Sequence, residues 1–295
     1  MNDFQKQRRF IVVGTNGGFS SAILKNIRLL HPDSPIINFS SREFNSNHFR
    51  NQTSVLSKNQ KSFPDNVIWC SGTSSNRSPQ SECLKDEFAL REFTSIFLEK
   101  AKIAPHFSFL SSGGTVYGPS AGVVNELSPI NPKTAYADMK IRSENFLQKL
   151  AQKGVVSLSI FRLANVYGSI KPGNRMSIVE TALKKREIFL TVNSESRKQY
   201  GTYDDYASQI LFSLKNRQGP HKNIVIQNVF SDHLYSIDDI LRLTAAYNMH
   251  GENRLVHQPS DSSITETVIL TSTQPIAKYG KEWQSLENYL KGISF

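Results

Sequence analysis

The chain opens with a strand that runs directly into a glycine turn and a helix. Arg8-Arg9-Phe10-Ile11-Val12-Val13 is a short apolar, β-branched run, Gly14-Thr15-Asn16-Gly17-Gly18-Phe19-Ser20 follows at once, and Ala22-Ile23-Leu24 starts a helical pattern. Such a succession can receive a dinucleotide pyrophosphate, because glycines permit close backbone approach and the first turn of a helix offers unpaired N–H groups. The spacing Gly14-x-x-Gly17-x-x-Ser20 puts a small serine where a third glycine is usual. It nominates Gly14, Asn16, Gly17, Gly18, Phe19 and Ser20 as cofactor contacts, while a plain turn without a ligand has the same local pattern.

The following segments repeat the alternation. Pro35–Phe39, Asn66–Cys70, Phe107–Leu110 and Val155–Leu163 read as strands, each short, apolar and followed by turn residues, and Leu84–Leu98 has helical periodicity. Strands alternating with helices predict an α/β fold, a Rossmann-like doubly wound parallel sheet with its ligands at the carboxyl ends of the strands. The segments Gly14–Ser20, Ser40–Arg42, Ser71–Ser75, Ser111–Gly118 and Asn165–Gly168 fall at such ends, which makes Ser71 and Gly72 further cofactor candidates. We expect residues 1–168 to form the dinucleotide-binding domain. Residues 169–295 should form mainly a small C-terminal substrate-binding lobe, with segments near 203–214 and 223–228 returning to the main sheet. The polar stretch Asn45–Lys61 reads as a loop.

A formal charge of +10, from 35 Lys and Arg against 25 Asp and Glu, raises the question of nucleic acid or membrane partners. The basic residues are scattered, and no polybasic block or nucleic-acid-binding signature accompanies them, so neither partner is expected and a phosphate-bearing small substrate is the simpler account. Residues 1–9 are polar, the apolar run after them is too short for a secretion signal, and the only cysteines are Cys70 and Cys83. These features predict a cytoplasmic setting and no metal site.

Tyr136 and Lys140 stand four residues apart, on one face of a helix turn, as a proton-donating tyrosine next to an ammonium requires. Taken with the glycine turn, Ser111-Ser112-Gly113-Gly114-Thr115-Val116-Tyr117-Gly118, Phe161–Gly168, Lys198–Ala207, Tyr235–Ile240 and Ser285–Glu287, the sequence resembles an extended short-chain dehydrogenase/reductase of the nucleotide-sugar epimerase/dehydratase group. The resemblance implies that Tyr136 is the general acid/base at a sugar oxygen. Lys140, near the nicotinamide ribose, would bring the phenol down from about 10 toward neutrality. Relatives carry a Ser or Thr where this chain has Gly113, so the hydroxyl must come from Thr115 or Ser112, with Thr115 slightly preferred.

The dehydratases of this group carry an acidic pair that Gly113-Gly114-Thr115 lacks. What remains is redox chemistry at C4 of a nucleotide-diphosphate hexose, with reduction of a 4-keto sugar ahead of a 4-epimerase of the UDP-glucose/UDP-GlcNAc kind. A non-catalytic dinucleotide-sensing regulator is the alternative from another class. Ser40, Ser41 and Arg42 suit the 2′-phosphate of NADP, which is slightly favoured over NAD held through Asn38. The resemblance further implies substrate contacts from Asn165, Lys198 or Arg197, and Arg175, and a homodimer built on the long helices near Glu126–Leu150.

Overall fold

The apolar runs pair side by side, as their β-branched and aromatic content favours. The structure, a computed structural model, describes residues 9–15, 17–39, 66–119, 121–168, 176–190, 192–216, 224–248, 251–257, 266–276 and 282–293. In chain order the elements are β1 (Phe10–Val13), α1 (Gly18–Leu30), β2 (Ile36–Phe39), β3 (Asn66–Trp69), α2 (Gln80–Lys100), β4 (His106–Ser112), α3 (Gly113–Val116) and β5 (Gly122–Val124). Next come α4 (Ala135–Gln152), β6 (Ser157–Leu163), β7 (Asn165–Tyr167), α5 (Ile178–Lys184), β8 (Glu187–Leu190), β9 (Lys198–Thr202), α6 (Tyr203–Lys215) and β10 (Ile224–Val229). The last are β11 (Leu234–Tyr235), α7 (Ile237–Thr244), β12 (Arg254–His257), β13 (Val268–Leu270) and α8 (Leu286–Lys291).

Six strands form one sheet in the order β10-β6-β4-β3-β1-β2, every pair parallel. Successive side chains point to opposite faces, so each run feeds two cores. Val67, Trp69, Phe107, Phe109 and Ile160 pack against Phe93 and Phe97 of α2 and Leu147 of α4. On the other face Val12, Ile68, Leu110 and Phe161 pack against Ile23 and Ile27 of α1 and against Tyr206 and Ile210 of α6. The chain leaves β1 toward β2 on one side and returns to β3 on the other. That reversal opens a crevice at the carboxyl ends of β1 and β3, the position where such sheets bind ligands.

A second sheet, β11-β9-β13-β5 with β7 also on β9, is built mostly from the later part of the chain. Gly122–Val124, which precedes α4, joins it through parallel pairing with Val268–Leu270. In the other direction, β10 lies at the edge of the large sheet and α6 lies against α1.

Candidate active site

The crevice is lined by Phe19, Cys70, Ser71, Gly72, Tyr136 and Lys140 among others, so the start of α1, the segment after β3 and the start of α4 face a common space. The glycine turn is held from two sides. Gly14 donates to Phe39 O at 2.6 Å and Cys70 N donates to Val13 O at 2.9 Å. The approach is so close that a Cβ on Gly14, whose φ is +126°, would sit 3.3 Å from the Cys70 carbonyl. Both amide protons of Asn38 go to the turn as well, to Val12 O at 2.9 Å and Gly14 O at 2.8 Å. Asn38 is thereby a brace for the turn. Ser20 is fully buried and donates to Gly17 O at 2.9 Å, which a third glycine could not do. Gly17 has no side chain with which to cap α1, and the first N–H groups of such a helix suit an anion.

Across the crevice, Asp86 of α2 fixes the segment after β3 by accepting from Thr73 N at 2.9 Å and Ser74 N at 2.8 Å. Burial pushes the thiols of both Cys70 and Cys83 up, keeping them as unreactive small groups, and neither is in a disulfide.

Tyr136 lies in the first turn of α4, whose N-terminus is capped by Thr134 accepting from Ala137 N at 3.2 Å. Lys140, one turn later, is only 8% exposed. Its Nζ donates to Leu110 O at 3.0 Å and lies 5.0 Å from the Phe109 ring centroid and 5.5 Å from that of Tyr136. Among the described residues no carboxylate pairs with it, so a cation is held beside the phenol by a carbonyl and two ring faces. One further turn brings Glu144, which accepts from Ser111 Oγ at 2.5 Å and pairs with Arg162 Nη2 at 2.7 Å, both side chains being 5% exposed or less. Arg162 continues to Tyr117 OH at 3.0 Å, and Tyr117 donates to Asn228 Oδ1 at 2.8 Å. Burial raises the Tyr117 phenol above its ordinary range, so it stays a neutral donor.

The place of the absent hydroxyl is filled. A Cβ on Gly113 would lie 2.5 Å from Leu270 Cδ1 and 3.0 Å from Arg162 O. Of the two substitutes, Thr115 Oγ1 is buried without a hydrogen-bond partner among the described residues, and neither Thr115 nor Ser112 lines the crevice. Asn165 sits beside Gly114, 3.8 Å from where its Cβ would be, and donates to Gln199 O at 3.4 Å. Lys198 is paired with Glu266 at 2.6 Å, and Arg197 is exposed next to it. Asn16, Ser40, Ser41, Arg42, Arg175 and the Asn45–Lys61 stretch lie outside the described residues. Asp204 holds Lys25 at 2.7 Å and Asp205 accepts from Gln284 N at 3.1 Å, so both serve structure.

Glu144, Arg162, Asp86, Leu270 and Glu266 were not nominated by the sequence. Glu144 extends the four-residue spacing of Tyr136 and Lys140, and that is the signal by which it could be found; the others meet their partners only through the tertiary fold.

A profile of the NAD dependent epimerase/dehydratase family matches residues 10–226, well over half of the chain, and the chain belongs to that family. Among solved structures, UDP-glucose 4-epimerase from Thermotoga maritima, determined with UDP-glucose, superposes with a TM-score of 0.75 at 20% identity, over 96% of each chain. MoeE5 in complex with UDP-glucuronic acid and NAD gives 0.74 at 14% identity, again over 96% of each. RMD from Pseudomonas aeruginosa, complexed with NADPH, gives 0.67 at 16%, over 90% of this chain and 88% of its own. At these identities the likeness is one of fold. No curated protein sequence matches the chain significantly.

Proposed function

We propose that this chain is an NAD(P)-dependent oxidoreductase acting at C4 of a nucleotide-diphosphate hexose, with net reduction of a 4-keto sugar as its reaction. The observation that carries the reading is the placing of Tyr136 at the crevice with the buried Lys140 ammonium beside it and Phe19, Ser71 and Gly72 also lining it. The uncapped α1 N-terminus and the Gly14 turn fit a dinucleotide pyrophosphate. Gly14, Gly17, Phe19, Ser71, Gly72 and Lys140 would hold the dinucleotide, which supplies the hydride when bound.

The chain's own part is proton delivery and orientation. Tyr136 Oη gives its proton to the C4 oxygen as that oxygen gains negative charge, and the Lys140 cation stabilises the phenolate left behind until water reprotonates it. The Phe109 and Leu110 wall keeps water from the lysine side and so strengthens that field. The direct test is Tyr136→Phe. Turnover should fall by about two to four orders of magnitude with dinucleotide affinity unchanged; retained turnover would overturn the assignment.

Two features favour 4-epimerisation as the second reading: the family itself and the UDP-glucose 4-epimerase fold similarity. Purified protein that interconverts UDP-glucose and UDP-galactose without added dinucleotide would decide for it. NADP remains our choice of cofactor. Two hydroxyls and a guanidinium in the Ser40-Ser41-Arg42 segment after β2 suit its 2′-phosphate. We also infer a homodimer through α2 and α4. Leu84 and Phe88 are 48% and 67% exposed on α2, and Glu87 ties α2 to α4 through Arg142 at 2.7 Å.

A further inference from the structure

We propose that Glu266 is an internal counter-ion of the substrate phosphate site, a carboxylate that competes with the diphosphate for Lys198 and thereby sets the affinity for the nucleotide. The proposal rests on the nucleotide-sugar reading above.

Lys198 opens β9, and its Nζ lies 2.6 Å from Glu266 Oε2, with the two side chains 20% and 22% exposed. This is not a chance meeting of two surface chains. The Glu266 N–H donates to the Oγ of buried Ser196 at 2.9 Å, and two residues later Val268 is the register partner of Lys198 where β13 meets β9. Both ends of the pair therefore start from fixed backbone, and at about one-fifth exposure each the two charges are shielded from most of the solvent.

The strands that carry the pair, β9 and β13, also carry the residues packed at Gly113. Gln199, the next residue along β9, clamps Leu270 with both amide atoms, accepting from Leu270 N at 2.8 Å and donating to Leu270 O at 3.1 Å. Leu270 abuts Gly113, and the carbonyl of Gln199 accepts from Asn165. A diphosphate reaching from the sugar site toward Lys198 would meet the ammonium and the carboxylate together. Their charges cancel, and the incoming phosphate loses attraction to the first while being repelled by the second. Arg197, the neighbouring cation, is exposed, whereas Lys198 is four-fifths buried against its carboxylate.

Titration calorimetry on the full chain tests this, with UDP and uridine as probes. Glu266→Gln, nearly isosteric, should tighten UDP on the order of tenfold, equivalent to about 1.4 kcal/mol, with uridine binding unchanged; Glu266→Ala should do the same. Lys198→Gln in the Glu266→Gln background should abolish the gain. Unchanged or weaker UDP binding by a Glu266→Gln protein that melts like the parent overturns the counter-ion role and leaves the substrate class standing. An equal gain for uridine overturns it too, since uridine carries no phosphate. Failure of both parent and variant to bind UDP, dTDP or GDP removes the substrate class, and the counter-ion role with it.

Discussion

Gly113→Ser restores the hydroxymethyl group of the relatives at a position where Leu270 already stands. The added Cβ would lie 2.5 Å from Leu270 Cδ1, 3.2 Å from Leu270 Cδ2 and 3.0 Å from Arg162 O. Arg162 cannot retreat, because β6 is fixed against β4 by the pairing of Ser111 with Arg162 and of Ser112 with Leu163. Leu270 is 1% exposed and its backbone is clamped by Gln199, so its side chain must leave its rotamer to admit the serine. Overpacking of a filled core costs about 1–3 kcal/mol, and we expect about 2 kcal/mol here. Leu270→Ala alone opens a cavity and should cost about 2–5 kcal/mol. In the double variant the clash is gone and the serine occupies part of the cavity, so the combined loss should fall at least about 1 kcal/mol short of the sum. Urea unfolding of the four proteins, followed by circular dichroism under one buffer, gives the cycle. Losses that add to within about 0.5 kcal/mol would show that Leu270 does not hold the seat of the missing hydroxyl.

Removing the buried carboxylate by Glu144→Ala strands the Arg162 charge at 5% exposure, and should cost about 3–5 kcal/mol and roughly 10 °C in melting temperature; a loss under about 1 kcal/mol in differential scanning calorimetry would contradict the network. Burial alone would raise the Glu126 carboxyl, but hydrogen bonds from Asn228 N, Ser272 Oγ and Thr273 N carry it below its ordinary value. Its contribution to stability is therefore fully present above the unfolded value of about 4.3 and is lost as pH falls through the lower folded value. Glu126→Gln should flatten the acid limb of a melting-temperature profile taken from about pH 5 downward, and an unaltered limb would refute the role. Asn38→Leu removes both braces of the glycine turn, and a fluorescence titration should show NADPH binding weakened by about tenfold; unchanged affinity would mean that the turn holds its shape without them.

The parallel sheet is legible in the sequence because its central strands are covered on both faces and so appear as mainly apolar runs, unbroken in Phe10–Val13 and interrupted only by Ser108 in Phe107–Leu110. Tyr136 and Lys140 are legible for a different reason: helical spacing alone brings them to one face. Sequence cannot choose between Ser112 and Thr115, since the inward turn of Thr115 Oγ1 depends on how the short α3 lies against β6 and β13. Gly122–Val124 carries no strand signal of its own and becomes one by pairing with β13, about 145 residues further on. Leu270 and Glu266 are equally silent. Their partners Gln199 and Lys198 lie 71 and 68 positions away, and such a meeting is fixed by topology alone.

The polar chain behind the site explains how a glycine can stand where relatives place a hydroxyl. From α4, Glu144 reaches Ser111 at the end of β4 and Arg162 on β6; Arg162 and Tyr117 carry the connection to Asn228 on β10. Asn228 N donates to Glu126 Oε1 at 2.7 Å, its side chain donates to Thr271 O at 2.8 Å, and Glu126 also accepts from Ser272 Oγ at 2.5 Å and Thr273 N at 2.8 Å. Every link is a hydrogen bond to a charged or buried group, which makes each displacement costly. The chain ends on the residues directly after Leu270, whose other side is clamped by Gln199. Leu270 is thus held at both ends against Gly113, and the helix that presents Tyr136 is tied to the same strand. With an apolar side chain locked into the hydroxyl's seat, the proton donor we propose for the oxygen at C4 is Tyr136, one turn from Lys140 on α4.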